Sequence, residues 1–367
     1  MSDAPDVLYA AQADTATYAA GDQFDVDTRL ADAVARMAAD GQPAVAIASF
    51  ARAYRMVAAG DRGLIGEAQI EPVQELPDGE IAAQQAQYQA IGRQALGRVA
   101  VVKLNGGLGT SMGMRGPKSL VDVRPGISFL DVVARQVLAL RRTSGTAIPL
   151  LLMDSFRTQA ESLATLARYP LLDVGLPLDF LQHRVPRIDV DTLTAIDWPA
   201  DPELMWCPPG HGDLYAALTS SGLLAALRTV GVRWLFVSNV DNLGATLDVG
   251  LLGWVVHHQA SFMMEVADRT SADRKGGHLA RAKSDGSLLL RERAQCPPGD
   301  ARAFVDIARH RYFNTNNLWI DLHALADALT DGGGLLPLAP IVNRKHVDPA
   351  DAASPEVFQL ESAMGAA

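Results

Sequence analysis

From about residue 25 to residue 60, apolar residues recur at intervals of three and four: Leu30, Val34 and Met37, then Ile47, Phe50, Tyr54 and Val57. That spacing lines one face of an α-helix, and Gly41-Gln42-Pro43 interrupts it, so two amphipathic helices with a break are expected. Residues 70–79 hold two prolines and a glycine and read as an extended connector. From Val99 the pattern changes. Val99-Ala100-Val101-Val102 is a short unbroken apolar run, as in a strand buried on both faces, and 148–153, 176–181 and 232–237 repeat it. Helical spacings fall between these runs. One starts at Ser128-Phe129-Leu130-Asp131, where a Ser and an Asp three apart suit the amides and positive pole of a helix N-terminus. Alternation of this kind predicts a largely parallel sheet covered by helices, with ligands outside the carboxyl ends of its strands.

Composition narrows the function. With 367 residues, two domains are the sensible expectation, divided here into a helical segment 1–95 and a second unit 96–367. A formal net charge of −10 argues against nucleic acid as the main partner, because affinity there rests on neutralising phosphates. It leaves room for a small anion, which needs only a local positive cluster. Two cysteines, Cys207 and Cys296, make neither a metal cage nor a disulfide framework, and suit a reducing compartment. The acidic start of the chain lacks the basic and apolar regions of a secretory signal, and no later run is apolar enough to span a bilayer. A cytoplasmic location is expected.

The chemistry begins directly after the first strand, in Leu104-Asn105-Gly106-Gly107-Leu108-Gly109-Thr110-Ser111-Met112-Gly113-Met114-Arg115-Gly116-Pro117-Lys118-Ser119. Glycines let main-chain amides converge on an anion, and Lys118 adds a mobile positive charge, so a polyphosphate is the natural ligand. An ordinary tight turn is the plainer alternative. The loop is neither G-x-x-x-x-G-K-[ST], since Pro117 parts the last glycine from the lysine, nor a dinucleotide fingerprint, since no acidic residue follows at the expected distance.

Later stretches carry polar residues at strand ends or loops. Asp154 and Gln182 close the second and third strands, and an amide such as Gln182 can donate to and accept from a nucleobase edge. Trp206-Cys207-Pro208-Pro209-Gly210-His211-Gly212-Asp213 places His211 between glycines at a helix start, suited to donate to a phosphate or sugar oxygen. Ser238-Asn239-Val240-Asp241-Asn242-Leu243-Gly244-Ala245-Thr246 sets Asp241 just past a strand, where one carboxylate beside phosphates suits Mg²⁺, with Asp248 the better helix cap. Lys275-Gly276-Gly277-His278-Leu279 opens an expected hairpin turning at Ser284-Asp285-Gly286-Ser287, with Glu292 on the return. Phe313-Asn314-Thr315-Asn316-Asn317 then follows as a run rich in amides. Amides with one carboxylate suit sugar hydroxyls. Asn343-Arg344-Lys345-His346 offers a second lysine, equally readable as a surface charge run.

The glycine loop, with Gly-Pro-Lys-Ser after it, closely resembles the signature of the eukaryotic-type UTP:glucose-1-phosphate uridylyltransferases, or UDP-glucose pyrophosphorylases. The Pro-Pro-Gly-His-Gly and Ser-Asn-x-Asp-Asn-Leu-Gly-Ala-Thr stretches support it, and the resemblance runs over roughly 65–367. It implies an α/β nucleotide-diphospho-sugar transferase fold, Rossmann-like and GT-A-like, with a mixed sheet and helices on both faces after a helical N-terminal segment. It further implies UTP and glucose-1-phosphate as substrates and Mg²⁺ as cofactor. Leu104, Asn105, Gly106, Gly107, Gln182, Gly210 and Asn239 would bind nucleotide. His211, Gly277, Glu292 and Asn316 would meet the sugar phosphate, Asp241 the metal, and Lys118 and Lys345 would serve catalysis. The sequence departs at His278, where the family commonly has a small polar residue. It also lacks the Pro-Val-Lys lysine and the C-terminal β-helix that often mediates association, so a catalytic unit incomplete at that end is expected. Other UDP-sugar pyrophosphorylases, or a UTP-binding fragment with little activity, stay open.

Overall fold

The computed structural model describes residues 23–108, 116–274 and 276–367. Helices Gln23–Ala39 and Ala44–Ala58 form where the apolar spacing puts them, and Pro43, in an extended conformation, sits at the N-cap of the second. Leu30, Met37, Phe50 and Tyr54 bury their shared face against Val185, Ile188, Cys207, Phe358 and Leu360. These partners belong largely to a small sheet ordered Pro340–His346, Glu356–Ser362, Ile188–Asp189, and to the short strands beside it.

Among the described residues the main sheet has nine strands. Its parallel centre runs Trp234–Asn239, Val99–Asn105, Leu150–Asp154, Asp179–Leu181. Successive residues of Val99–Asn105 point to opposite faces. Val99 and Val101 pack with Leu130, Val133, Val137, Leu252 and Val255 of one helical layer, and Ala100 and Val102 with Leu214, Leu218, Leu227 and Leu325 of the other. Both faces are buried, which is why the run is apolar without alternation. Each fully buried aliphatic side chain contributes roughly 1.5–3 kcal/mol, against about 0–1 kcal/mol for a surface ion pair. The sheet centre therefore holds the strand ends in place.

The remaining strands make the sheet mixed rather than largely parallel. Tyr312–Asp321 pairs antiparallel with Trp234–Asn239 on one side and Phe262–Asp268 on the other. His278–Ala282 and Leu288–Arg291 form the expected hairpin, and a short hairpin turn can join strands only antiparallel. Part of the expected connector, Ile70–Pro72, is a strand paired with Ala280, Arg281 and Ala282, where an edge position tolerates Pro72. The helix Phe129–Ser144 starts in the expected capping box: Asp131 N donates to Ser128 Oγ, and Ser128 N donates back to the Asp131 carboxylate.

Candidate active site at the carboxyl ends of the parallel strands

Strand register brings the first group of residues together. Leu104 pairs with both Asn239 and Met153, Asn105 pairs with Asp154, and Gln182 N donates to Asp154 O at 2.8 Å. Gln182 folds back over the start of the glycine loop, so that a methyl group placed on Gly106 would lie 2.4 Å from its Nε2. The loop's two ends meet as well: Leu108 bridges Pro117, and Lys118 N donates to Gly107 O at 3.0 Å. Gly109 to Arg115, and Lys275, lie outside the described residues. Lys118 Nζ then sits 2.5 Å from Asp241 Oδ2, so the phosphate lysine and the metal carboxylate of the sequence reading are neighbours.

Asn105 behaves differently from a side chain open to ligand. It is buried and donates Nδ2 to Asp154 Oδ1 at 2.6 Å and to Ser162 Oγ at 2.7 Å, so its amide is turned into the fold. Burial pushes the Asp154 carboxyl up to about 7, in spite of hydrogen bonds from Asn105 and Thr158. Behind the same ends lies Lys103, which motif reading passed over. Its buried ammonium donates to Ser238 Oγ and Ala245 O, both at 2.7 Å, and so ties the strand feeding the glycine loop to the loop carrying Asp241. Burial brings its pKa down to about 8, against the pull of Asp241 and Glu265. A charge set inside an apolar strand was the available signal, because such a residue is rarely fully buried unless paired.

His211 lies in a short turn, His211–Asp213, ahead of helix Leu214–Ser220. Its Nδ1 accepts from Met364 N at 3.0 Å, which puts the proton of the neutral ring on Nε2, and burial lowers its pKa to about 4. The glycines on either side serve the protein itself. A methyl group on Gly210 would lie 2.5 Å from Ser362 O, and one on Gly212 would lie 2.4 Å from Ser362 Oγ. Asp213 accepts from His183 N at 2.7 Å and pairs with His183 Nδ1 at 2.8 Å, joining this loop to Gln182.

Gly277, Glu292 and Asn316 form a second group, through Asn314. A methyl group on Gly277 would lie 2.6 Å from Glu292 Oε2; Asn314 N donates to Gly277 O at 3.1 Å; and Asn314 Nδ2 donates to Asn316 Oδ1 at 2.9 Å. The Tyr312–Asp321 strand bulges here. Glu265 faces Asn317 while Val266 faces Asn314, so Thr315 and Asn316 stand out of the ladder, and Asn316 takes a left-handed φ of 57°. A bulge re-aims side chains in this way, and Asn tolerates that region better than most residues. Burial raises the Glu292 carboxyl above its ordinary range. Lys345 stands on another sheet, in Pro340–His346, exposed. Its charge, with a hydrogen bond from Asn343, pulls against the burial that raises Glu361, the residue packed on Gly210.

Among the described residues no group of three or more His, Cys, Asp or Glu side chains could hold a metal ion by itself, and no helix is long and apolar enough to cross a membrane. One carboxylate at a loop end, beside a lysine, fits an ion that takes its other ligands from phosphate oxygens and water.

Residues 47–367 match the family model described as UTP--glucose-1-phosphate uridylyltransferase. The UTP--glucose-1-phosphate uridylyltransferase of Saccharomyces cerevisiae is 43% identical over 273 residues, 74% of this chain and 54% of the relative. A probable UTP--glucose-1-phosphate uridylyltransferase of Schizosaccharomyces pombe is 40% identical over 278 residues, 76% of this chain and 54% of the relative. The chain thus spans about half the length of the curated relatives it matches. Among solved structures, a UDP-glucose phosphorylase of Trypanosoma brucei superposes with a TM-score of 0.87 at 42% identity, covering 92% of this chain and 72% of that one. The UDP-glucose pyrophosphorylase of Leishmania major, solved open and closed, gives 0.85 at 42% identity, with the same coverage.

Proposed function

Because the chain belongs to the UTP--glucose-1-phosphate uridylyltransferase family, we propose that it transfers a uridylyl group reversibly between UTP and glucose-1-phosphate. A phosphate oxygen of the sugar attacks the α-phosphorus of UTP in line. The bond to the β-phosphate breaks, and pyrophosphate and UDP-glucose form. The nucleophile arrives ionised, so no side chain need take a proton, and catalysis is a matter of positioning and charge.

The observation that carries this reading is the meeting of the glycine-loop base, Lys118 and Asp241 at the ends of parallel strands. In it, Gln182 reads the uracil, and the main chain of Leu104, Asn105, Gly106 and Gly107, with Gly210 and Asn239, seats the nucleoside. Lys118 neutralises phosphate, His211 donates from Nε2, and Gly277, Glu292 and Asn316 hold the sugar. Asp241 would hold Mg²⁺, which when bound supplies positive charge to the phosphates. Lys345 is the second cation of the reading, beside the Gly210 loop. Two free cysteines fit a reducing compartment, and we place the protein in the cytoplasm.

A pyrophosphate-release assay with UTP tests the proposal. Release with glucose-1-phosphate, well above that with galactose-1-phosphate or N-acetylglucosamine-1-phosphate, is the expected result. Preference for another sugar would move the assignment to a different UDP-sugar, and UTP binding without release would reduce the chain to a nucleotide-binding unit.

A further inference from the structure

The residues just ahead of the 70–79 connector show no chemistry in their sequence, yet Glu67 is inserted from them into a partly buried ionic cluster behind the sugar-facing hairpin. Glu67 Oε2 accepts from Arg291 Nη1 at 2.7 Å, and Oε1 from Arg309 Nε at 2.5 Å; His310 Nε2 lies 3.0 Å from Oε1. Arg291 is fully buried, its second arm 3.3 Å from Asp300, and Asp300 in turn accepts from Glu67 N at 2.7 Å. His310 stacks on His278 with ring centroids 3.9 Å apart, and His278 packs on Phe304. Both imidazoles are fully buried.

Two routes lead from Glu67 to the sugar group, each ending one residue away. Arg291 precedes Glu292 and His278 follows Gly277, and the two strands pair His278 with Arg291. Neighbours along an extended chain point to opposite sides, so what fixes Arg291 and His278 from behind fixes Glu292 and Gly277 in front. The rest of this segment is anchored too: Ile65 N donates to Gln295 O, and Lys283 N donates to Gln69 O.

We infer that Glu67 is a positioning residue for the sugar subsite: through Arg291 and through the His310–His278 stack it sets the placement of Glu292 and Gly277. The inference rests on the proposal that Gly277, Glu292 and Asn316 receive the sugar. It also gives His278 a part, since a small side chain there would leave His310 without its stacking partner.

The test is calorimetric binding of UDP and of UDP-glucose, which differ only in the sugar, to wild type, Glu67→Gln, His310→Phe and Glu292→Gln. Glu67→Gln keeps the shape and removes the charge; His310→Phe keeps the stack and removes the bond to Glu67, and it carries the test if Glu67→Gln does not fold. Glu67→Gln or His310→Phe should weaken UDP-glucose about tenfold with UDP unchanged. A merely structural role would move both ligands together or neither, and either outcome overturns the inference while Glu292→Gln still weakens UDP-glucose alone. If Glu292→Gln leaves the two ligands' ratio unchanged, the sugar subsite itself is misplaced and the inference falls with it.

Discussion

The Lys118 ammonium lies 2.5 Å from the Asp241 carboxylate, and the two loops that carry them follow neighbouring parallel strands, Val99–Asn105 and Trp234–Asn239. Each balances the other's charge. A polyphosphate with its divalent ion would divide them, the lysine turning to phosphate and the carboxylate to the ion.

Lys118→Ala should therefore lower turnover by on the order of 10² to 10³, the usual loss on removing one preorganised electrostatic contact. The pair is partly exposed and worth about 0–1 kcal/mol to the fold, so the melting temperature should barely move. Asp241→Asn should instead raise the Mg²⁺ concentration needed for half-maximal pyrophosphate release. Turnover by Lys118→Ala near that of wild type would remove the lysine from the chemistry.

Gly106→Ala should weaken UTP binding about tenfold, the equivalent of one or two hydrogen bonds, with little change in stability. The nearest atoms to the added methyl are the amide end of Gln182, the far end of a rotatable side chain; in swinging aside it leaves the place proposed for the uracil edge. Calorimetry with UTP and thermal melts on one preparation separate the two effects.

Lys103 gives a pH signature of stability. Its pKa is about 8 in the folded protein against 10.5 as the ordinary value, so between those values the unfolded chain holds a proton that the folded one has released. The cost of burying the charge is borne fully below pH 8 and lifts as pH rises toward 10.5. Urea unfolding should show the wild-type free energy, relative to Lys103→Met, rising across that window by up to about 3 kcal/mol, at roughly 1.4 kcal/mol per pKa unit. A flat difference would mean that the ammonium is better solvated than its burial implies.

His211 acts with the same sign at lower pH. Burial holds the folded imidazole at about 4 against 6.5 ordinarily, so the unfolded chain takes up a proton first as the pH falls. Wild type should lose stability relative to His211→Gln between pH 6.5 and 4, and the imidazole resonances should show no titration near 6.5. A midpoint near 6.5 would instead mean an exposed ring without its bond from Met364 N.

Much of the frame was legible because it depends on local pattern. The two N-terminal helices followed from spacing and Pro43, the buried strands from unbroken apolar runs, and the hairpin from Ser284-Asp285-Gly286-Ser287. The strand Ile70–Pro72 was hidden, since two prolines and a glycine in ten residues look like a linker until an edge position excuses them. Lys103 and Glu67 were passed over because nothing adjacent in the chain marks their partners.

The sequence alone determined the residue types that chemistry of this class requires and the loops that bear them, because glycines, prolines and strand runs act on their own neighbours. Tertiary structure decided which loops share a site. It set Lys118 against Asp241, laid Gln182 over Gly106, turned the Asn105 amide inward to Asp154, and brought Glu67 against Arg291 of the 278–291 hairpin. These relationships depend on strand order, a bulge and the burial of charge, which arise only when distant segments pack against one another.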